Sequence, residues 1–443
     1  MSELILISPN IFTNNEAGPF IESGAVVIRD GAVADIGDDR EIRKKYPKAR
    51  YQDLGEGLLT PGLVNLHHHL YSSLARGWNP AGEPPANFPQ VLDRIWWRLD
   101  KALELDDIYY SAMVGLCESV RMGVTTVIDH HASQHIIEGS LAAIAKAYKQ
   151  VGLKGSVCFE ITDRGGPEVF KAGLKETIYG LCKWQEFNSE SRLKAMVGLH
   201  ASMTLSDMSL QKIREATVGY DVGYHFHLAE DESDQVDSLS QHGTRATQRF
   251  AKYQMLCEKS LAIHGVNLDK DELKLLADSK TNLAICPRSN QNNAVGIPRW
   301  WEYDGVSIGL GTDGIGSDMI SEAKSGLYIS HHEKHDPSFG FGEMAGMLLN
   351  SNPHIFEKIT GHKVGRIAPG YPADLVFWKY DSPTPIDGNN IAGHYLYGLY
   401  NHQADKVWVD GKNIFADGKF IDFDYGEIAS QAKTAAKKLW ERI

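Results

Sequence analysis

The sequence predicts an α/β chain: a TIM-like (β/α)8 barrel with a small β-sandwich formed by its N- and C-terminal segments. Three observations carry this. Through residues 57–369, short apolar runs alternate with helical patterns. Residues 1–56 and 370–443 read instead as strand, turn, strand, with a helix at the very end. The apolar runs of the middle finish on polar and titratable side chains, as expected where parallel strands deliver such groups to one rim of a barrel.

Taken in order, Leu4-Ile5-Leu6-Ile7 is a strand. Ala25–Ile28 and Ala32–Ile36 flank Asp30-Gly31, a two-residue hairpin signal. At the other end, Asp374–Trp378 is a strand. Lys406–Val409 runs into Asp410-Gly411 and then Asn413–Phe415, with a further turn at Asp417-Gly418. Tyr425–Ile443 predicts an amphipathic helix, since Ile428, Ala432, Ala435 and Leu439 fall at three- and four-residue spacing. In the middle, eight apolar runs close at His67-His68-His69, Asp129-His130-His131, Glu160-Ile161-Thr162, His200, His227, His264, Cys286–Asn290 and Gly311-Thr312-Asp313. Helical patterns such as Ile108–Met122 and Leu268–Ser279 lie between them. A doubly wound open sheet is the alternative. It needs a glycine-rich phosphate loop after its first strand, and Pro61–His69 offers none.

Composition narrows the function. A net charge of −12, from 45 basic and 57 acidic residues in 443, argues against non-specific binding to nucleic acid or an anionic membrane. No apolar run is long enough to span a bilayer, and Met1–Asn10 has none of the features of a secretory signal. The five cysteines (Cys117, Cys158, Cys182, Cys257, Cys286) form no CxxC pair, which predicts buried thiols in a reducing compartment. The expectation is a cytoplasmic protein with a small-molecule substrate.

The chemistry begins at Pro61–His69. Side chains alternate along a strand, so His67 and His69 share one face and His68 takes the other. Two imidazoles on one face can share a metal ion, although the pattern alone is weak. Its partners strengthen it. Gly223–Glu230 ends on His227 with Glu230 just beyond, and His225 shares the face of His227 but lies deeper; Leu261–Gly265 ends on His264, and Ile308–Gly314 holds Asp313. Three imidazoles and one carboxylate suit a single borderline divalent ion, Zn²⁺ or Fe²⁺, with an open position for water whose pKa the ion lowers toward neutrality. Asp313 can accept the water's proton, Glu230 can deliver a proton to the leaving group, and His264 suits the oxyanion that forms on attack.

These strings, with Trp96–Asp100, Ile128–Ser133, Gly311–Met319, Asp381–Pro385 and Asn390–His394, resemble the amidohydrolase superfamily over nearly the whole chain. The likeness is to its metal-dependent aminohydrolases related to guanine deaminase, cytosine deaminase and the triazine hydrolases, and more closely to the SsnA-type aminohydrolases. The resemblance implies His67, His69, His227 and Asp313 as metal ligands, Glu230 as proton shuttle and His264 beside the attacking water. It also places His200 near the substrate. Strand four carries no terminal lysine, Lys194 standing at its start, which favours one metal over two. Two departures matter. His68 replaces a common threonine without changing ligation. On strand seven, Ile285 and Cys286 stand where relatives often have histidine and asparagine, which puts substrate contacts from Ser289 and Asn290 in question, and Cys286 reads as a buried thiol.

Substrate contacts are further expected from His131 (with His130 as the alternative at the end of strand two) and from Trp97, which could cover the pocket. The loop Trp78–Gln90 reads as a lid, and His331-His332 with His335 as solvated surface. The function expected is a metal-dependent aminohydrolase that releases ammonia from an aminated heterocycle such as a purine or pterin, by attack of metal-bound hydroxide. The alternatives are hydrolysis of a cyclic amide or a carbon–halogen bond, and a non-catalytic metal-binding protein. A homo-oligomer, dimer or larger, is expected by analogy with relatives.

Overall fold

The structure is a computed structural model. It describes residues 3–16, 18–185 and 192–443; Met1 and Ser2, at the head of the N-terminal segment, lie outside these.

Nine strands from the two ends form one sheet. Its N-terminal members are β1 (Leu4–Phe12), β2 (Phe20–Arg29), β3 (Ala32–Asp38), β4 (Arg50–Asp53) and β5 (Leu58–Pro61). Asp30 and Gly31 both have positive φ, 52° and 82°, the type I′ geometry that matches strand twist in a two-residue hairpin. Asp410-Gly411 and Asp417-Gly418 repeat it in the C-terminal part. β5 joins the halves, pairing parallel with β1 and antiparallel with Leu375–Trp378. The sheet folds over on itself: a Cβ on Gly31 would lie 3.0 Å from the Asp410 carbonyl oxygen. Leu6, Val26, Leu59, Leu375 and Trp408 form the apolar cluster inside the fold.

β5 runs directly into the barrel. Its parallel strands are β6 (Leu63–His69), β7 (Val124–His131), β8 (Lys154–Ile161), the interrupted fourth strand β9 (Leu193–Ala195) and β10 (Val197–Leu199), β11 (Tyr224–Leu228), β12 (Leu261–His264), β13 (Asn282–Ile285), and an eighth made of β14 (Ser307–Leu310) and β15 (Asp313–Gly314). Each pairs with the next in sequence. β14 pairs with β13 and β15 with β6, so the eighth strand closes the ring. Gly311 is required at the closure, because a Cβ there would stand 2.6 Å from that of His67. Outside the ring, Leu116, Ile144, Leu181 and Leu210 of the surrounding helices pack on Val127, Val157 and Val197.

The helix expected over Ile108–Met122 spans Leu105–Arg121, since the Asp107 carboxylate accepts the Glu104 N–H at 2.8 Å and caps it earlier. The C-terminal helix, Tyr425–Arg442, buries Ile428, Ala432, Ala435 and Leu439 as its spacing predicts, and the Trp440 indole N–H donates to the Leu74 carbonyl at 2.8 Å. Among the described residues, no helix is long and apolar enough to cross a membrane.

Barrel and sheet are joined by a buried ion cluster. Lys154 Nζ lies 2.7 Å from Asp374 Oδ2 and 2.5 Å from Asp410 Oδ1. Lys154→Ala leaves Asp374 a buried carboxylate without its cation, so a loss of about 3–5 kcal/mol in unfolding free energy is expected from urea denaturation. A loss below about 1 kcal/mol would show the cluster to be dispensable.

Candidate metal centre and active site

The rim residues converge as alternation requires. His67 and His69 face the barrel interior at the end of β6. His68 faces outward, its Nε2 2.9 Å from Ser317 Oγ. The turn after His69 is fixed by the neighbouring strand: Leu70 N–H donates to Asp129 Oδ1 at 2.8 Å. Gly311 lets the eighth strand pass close enough to bring Asp313 to both imidazoles, with Oδ1 3.3 Å from His67 Nε2 and 3.1 Å from His69 Nε2.

Hydrogen bonds to backbone carbonyls fix the free nitrogens of His69 and His227. His69 Nδ1 lies 2.6 Å from the His130 carbonyl and His227 Nδ1 2.9 Å from the His200 carbonyl, so both carry the proton there and donate. Their Nε2 lone pairs then face each other at 3.1 Å. His67 Nδ1 is engaged by His225 Nε2 at 2.9 Å, and its buried Nε2 has no hydrogen-bond partner. Three nitrogen lone pairs and a carboxylate oxygen at such separations repel one another unless a positive charge lies among them. Burial holds His67 and His227 well below the ordinary imidazole range, keeping both in the neutral form that binds metal. Burial also acts to lower His69, but the Asp313 carboxylate outweighs it and raises the ring to about 9, so a proton on Nε2 competes with a cation for the positive charge the cluster calls for. The donor set fits one divalent cation, with His225 orienting His67 from beneath.

Two further groups flank this centre. His264 Nδ1 is 3.0 Å from the Asn290 side-chain nitrogen, which leaves the ring proton on Nε2, 3.3 Å from Glu230 Oε2. Burial lowers His264 to about 4, so it is a neutral donor. Burial, reinforced by the charge of Asp313, raises Glu230 well above the usual carboxyl range, and Asn293 Nδ2 donates to its Oε1 at 3.3 Å. His264 and Asp313 both hold left-handed backbone, φ 74° and 60°, a conformation that costs roughly 1–3 kcal/mol at a non-glycine residue and clusters at functional sites.

A cavity of about 690 Å³ opens onto His69, His227, His264, Glu230 and Asp313. His200, Trp97 and Ser289 line it; the Ser289 hydroxyl also donates to Asp313. Two expected substrate contacts lie elsewhere. Asn290 sits behind His264 and holds it. His131 is buried behind Tyr71, its Nε2 2.9 Å from Ser133 Oγ and its ring 5.9 Å from that of Tyr71, because alternation on β7 turns it away from the face of His130. Of the loop Trp78–Gln90, Phe88 reaches the cavity. Cys286 is fully buried, and burial pushes its thiol well above the usual range. Sequence reasoning missed Asn293 and the wall residues Tyr71, Asp100 and Glu160. Glu160 was visible as the end of strand three, but nothing in its spacing tied it to the site.

Residues 58–414 match the amidohydrolase family. The chain belongs to that family. This amidohydrolase is therefore a hydrolase acting on carbon–nitrogen bonds. It is 28% identical over 421 residues to a 5-methylthioadenosine/S-adenosylhomocysteine deaminase of Moorella thermoacetica, covering 94% of this chain and 95% of the relative. Its fold is that of an adenosine deaminase from Xanthomonas campestris with bound zinc (TM-score 0.84, 20% identity, 99% of this chain and 98% of the other). It is also that of Escherichia coli guanine deaminase (TM-score 0.79, 18% identity, 94% and 99%).

Proposed function

We propose that this amidohydrolase is a hydrolytic deaminase that releases ammonia from an aminated heterocycle, a purine or pterin, using one divalent metal ion, zinc. The observation that carries the reading is the meeting of His67, His69, His227 and Asp313 with a protonatable Glu230 and a neutral His264 at one cavity; His69 Nε2 lies 3.1 Å from both Asp313 Oδ1 and His227 Nε2, and ligating atoms of His67, His227, His264 and Asp313 lie within 4.8 Å of one another. The deaminase names borne by relatives of similar length support it.

The bound ion would supply a water acidic enough to act as nucleophile near neutral pH. The remaining steps fall to this chain's residues. Glu230 carries one proton of the water to the ring nitrogen, which takes the electron pair of the C=N bond as the water oxygen bonds to the carbon bearing the amino group. Asp313 accepts the second proton, and His264 Nε2–H offers a hydrogen bond to the water-derived oxygen. That second proton passes to the amino nitrogen, the C–N bond breaks with its electron pair on nitrogen, and ammonia leaves as the ring carbonyl forms.

The test is an ammonia-release screen of zinc-loaded protein over purines, pterins, pyrimidines and formimino compounds. Release from at least one is expected. Release of halide or of a ring-opened acid, with no ammonia from any compound, would overturn the reading.

A further inference from the structure

The wall of the cavity on the side of strands three and four holds a polar cluster that the reaction does not use. Glu160, at the end of β8, is 3% exposed and lines the cavity beside Trp97, Asp100 and His200. Its two ion-pair contacts are long: Oε1 is 3.4 Å from Arg164 Nη2 and Oε2 3.5 Å from His130 Nδ1. Charge-assisted hydrogen bonds run closer to about 2.7–2.9 Å. The same Nη2 of Arg164 lies 2.6 Å from Asp100 Oδ2, and the guanidinium carbon is 4.7 Å from the centroid of the Trp97 ring, while Nε and Nη1 have no hydrogen-bond partner. Asp100 Oδ1, on a residue 1% exposed that also lines the cavity, has no hydrogen-bond partner at all. Burial alone would raise Glu160, but His200, His130 and Arg164 hold it well below the usual range, so it stays a carboxylate.

The wall therefore presents open polar groups of both kinds: Asp100 Oδ1 as an acceptor, and Trp97 Nε1 with Nε and Nη1 of Arg164 as donors. Glu160 is its carboxylate that lies among the histidines of the site. A carboxylate oxygen of Glu160, a ring nitrogen of His200 and a ring nitrogen of His227 lie within 4.8 Å of one another. An oxygen that close to a residue of the metal centre meets the atoms flanking the reacting carbon. A substituent on the far side of a bicyclic ring would lie beyond it.

We infer that Glu160 is a specificity residue that accepts a ring N–H adjacent to the carbon bearing the amino group, so that the preferred substrates are 2-amino-oxo heterocycles. Guanine, pterin and isocytosine offer that N–H. The adenine ring offers a nitrogen lone pair at the corresponding place, which a carboxylate repels. The inference rests on the deaminase reading and narrows it. A buried site built to receive a donor rejects an analogue lacking it strongly, because its own polar group is left unpaired.

The experiment measures ammonia release by the zinc-loaded full chain from guanine, pterin and isocytosine, and from adenosine and 5′-methylthioadenosine. The expected kcat/KM for the best of the first group exceeds that of the best adenine compound by at least about 100-fold. Glu160→Gln, with zinc content unchanged, should narrow this preference at least tenfold, mainly through KM, since an amide can donate to the adenine lone pair. Glu160→Asp, which keeps the charge, should retain most of the preference. A wild-type preference for the adenine compounds overturns the inference and leaves the deaminase reading standing. So does a Glu160→Gln variant that lowers both groups alike. Ammonia from neither group overturns the inference, and ammonia from no compound of the wider screen overturns the deaminase reading as well.

Discussion

Asp313→Ala is expected to leave a folded protein that neither retains zinc nor turns over substrate, with kcat/KM lowered at least about 10³-fold. The carboxylate is the anion among three imidazoles, its Oδ1 at 3.1 and 3.3 Å from two of them. Without it, the facing lone pairs of His69 and His227 keep their repulsion and lose the negative charge that draws a cation. Circular dichroism reports the fold and atomic absorption the metal. Stoichiometric zinc with activity within tenfold of wild type would remove Asp313 from the centre.

Glu230→Gln separates metal binding from proton transfer. Glu230 is outside the donor set, so zinc should bind at wild-type stoichiometry. The amide keeps an oxygen for the Asn293 N–H, now 3.3 Å away, but cannot carry the proton. General acid–base catalysis contributes about 10²–10⁴-fold, and kcat should fall by that amount with KM little changed. A variant within threefold of wild type in kcat would assign the proton to another group.

Much of this was legible in the sequence, for identifiable reasons. Alternation along β6 separates His67 and His69 from His68, and the structure turns His68 outward to Ser317. The Asp-Gly pairs locate the three hairpins because two successive positive φ angles favour those residues. Recurring polar strand ends count out eight barrel strands. What the sequence could not supply was which nitrogen of each ring is free, since that depends on carbonyls of His130 and His200 from other strands. Nor could it separate wall from support. Ser289 and Asn290 are adjacent, yet one lines the cavity and the other holds His264 from behind. The Glu160, Asp100 and Arg164 cluster joins residues up to 64 positions apart, and no local pattern announces such a grouping.

The most direct test of the central claim is a zinc titration. Protein stripped with a chelator is reloaded with zinc in steps, and the ammonia-release rate is followed on the best substrate. The rate should rise linearly from near zero and level off at one equivalent per chain, and His69→Ala should show no such rise. Full activity in the stripped protein, or no ammonia from protein holding one zinc per chain, would contradict the account.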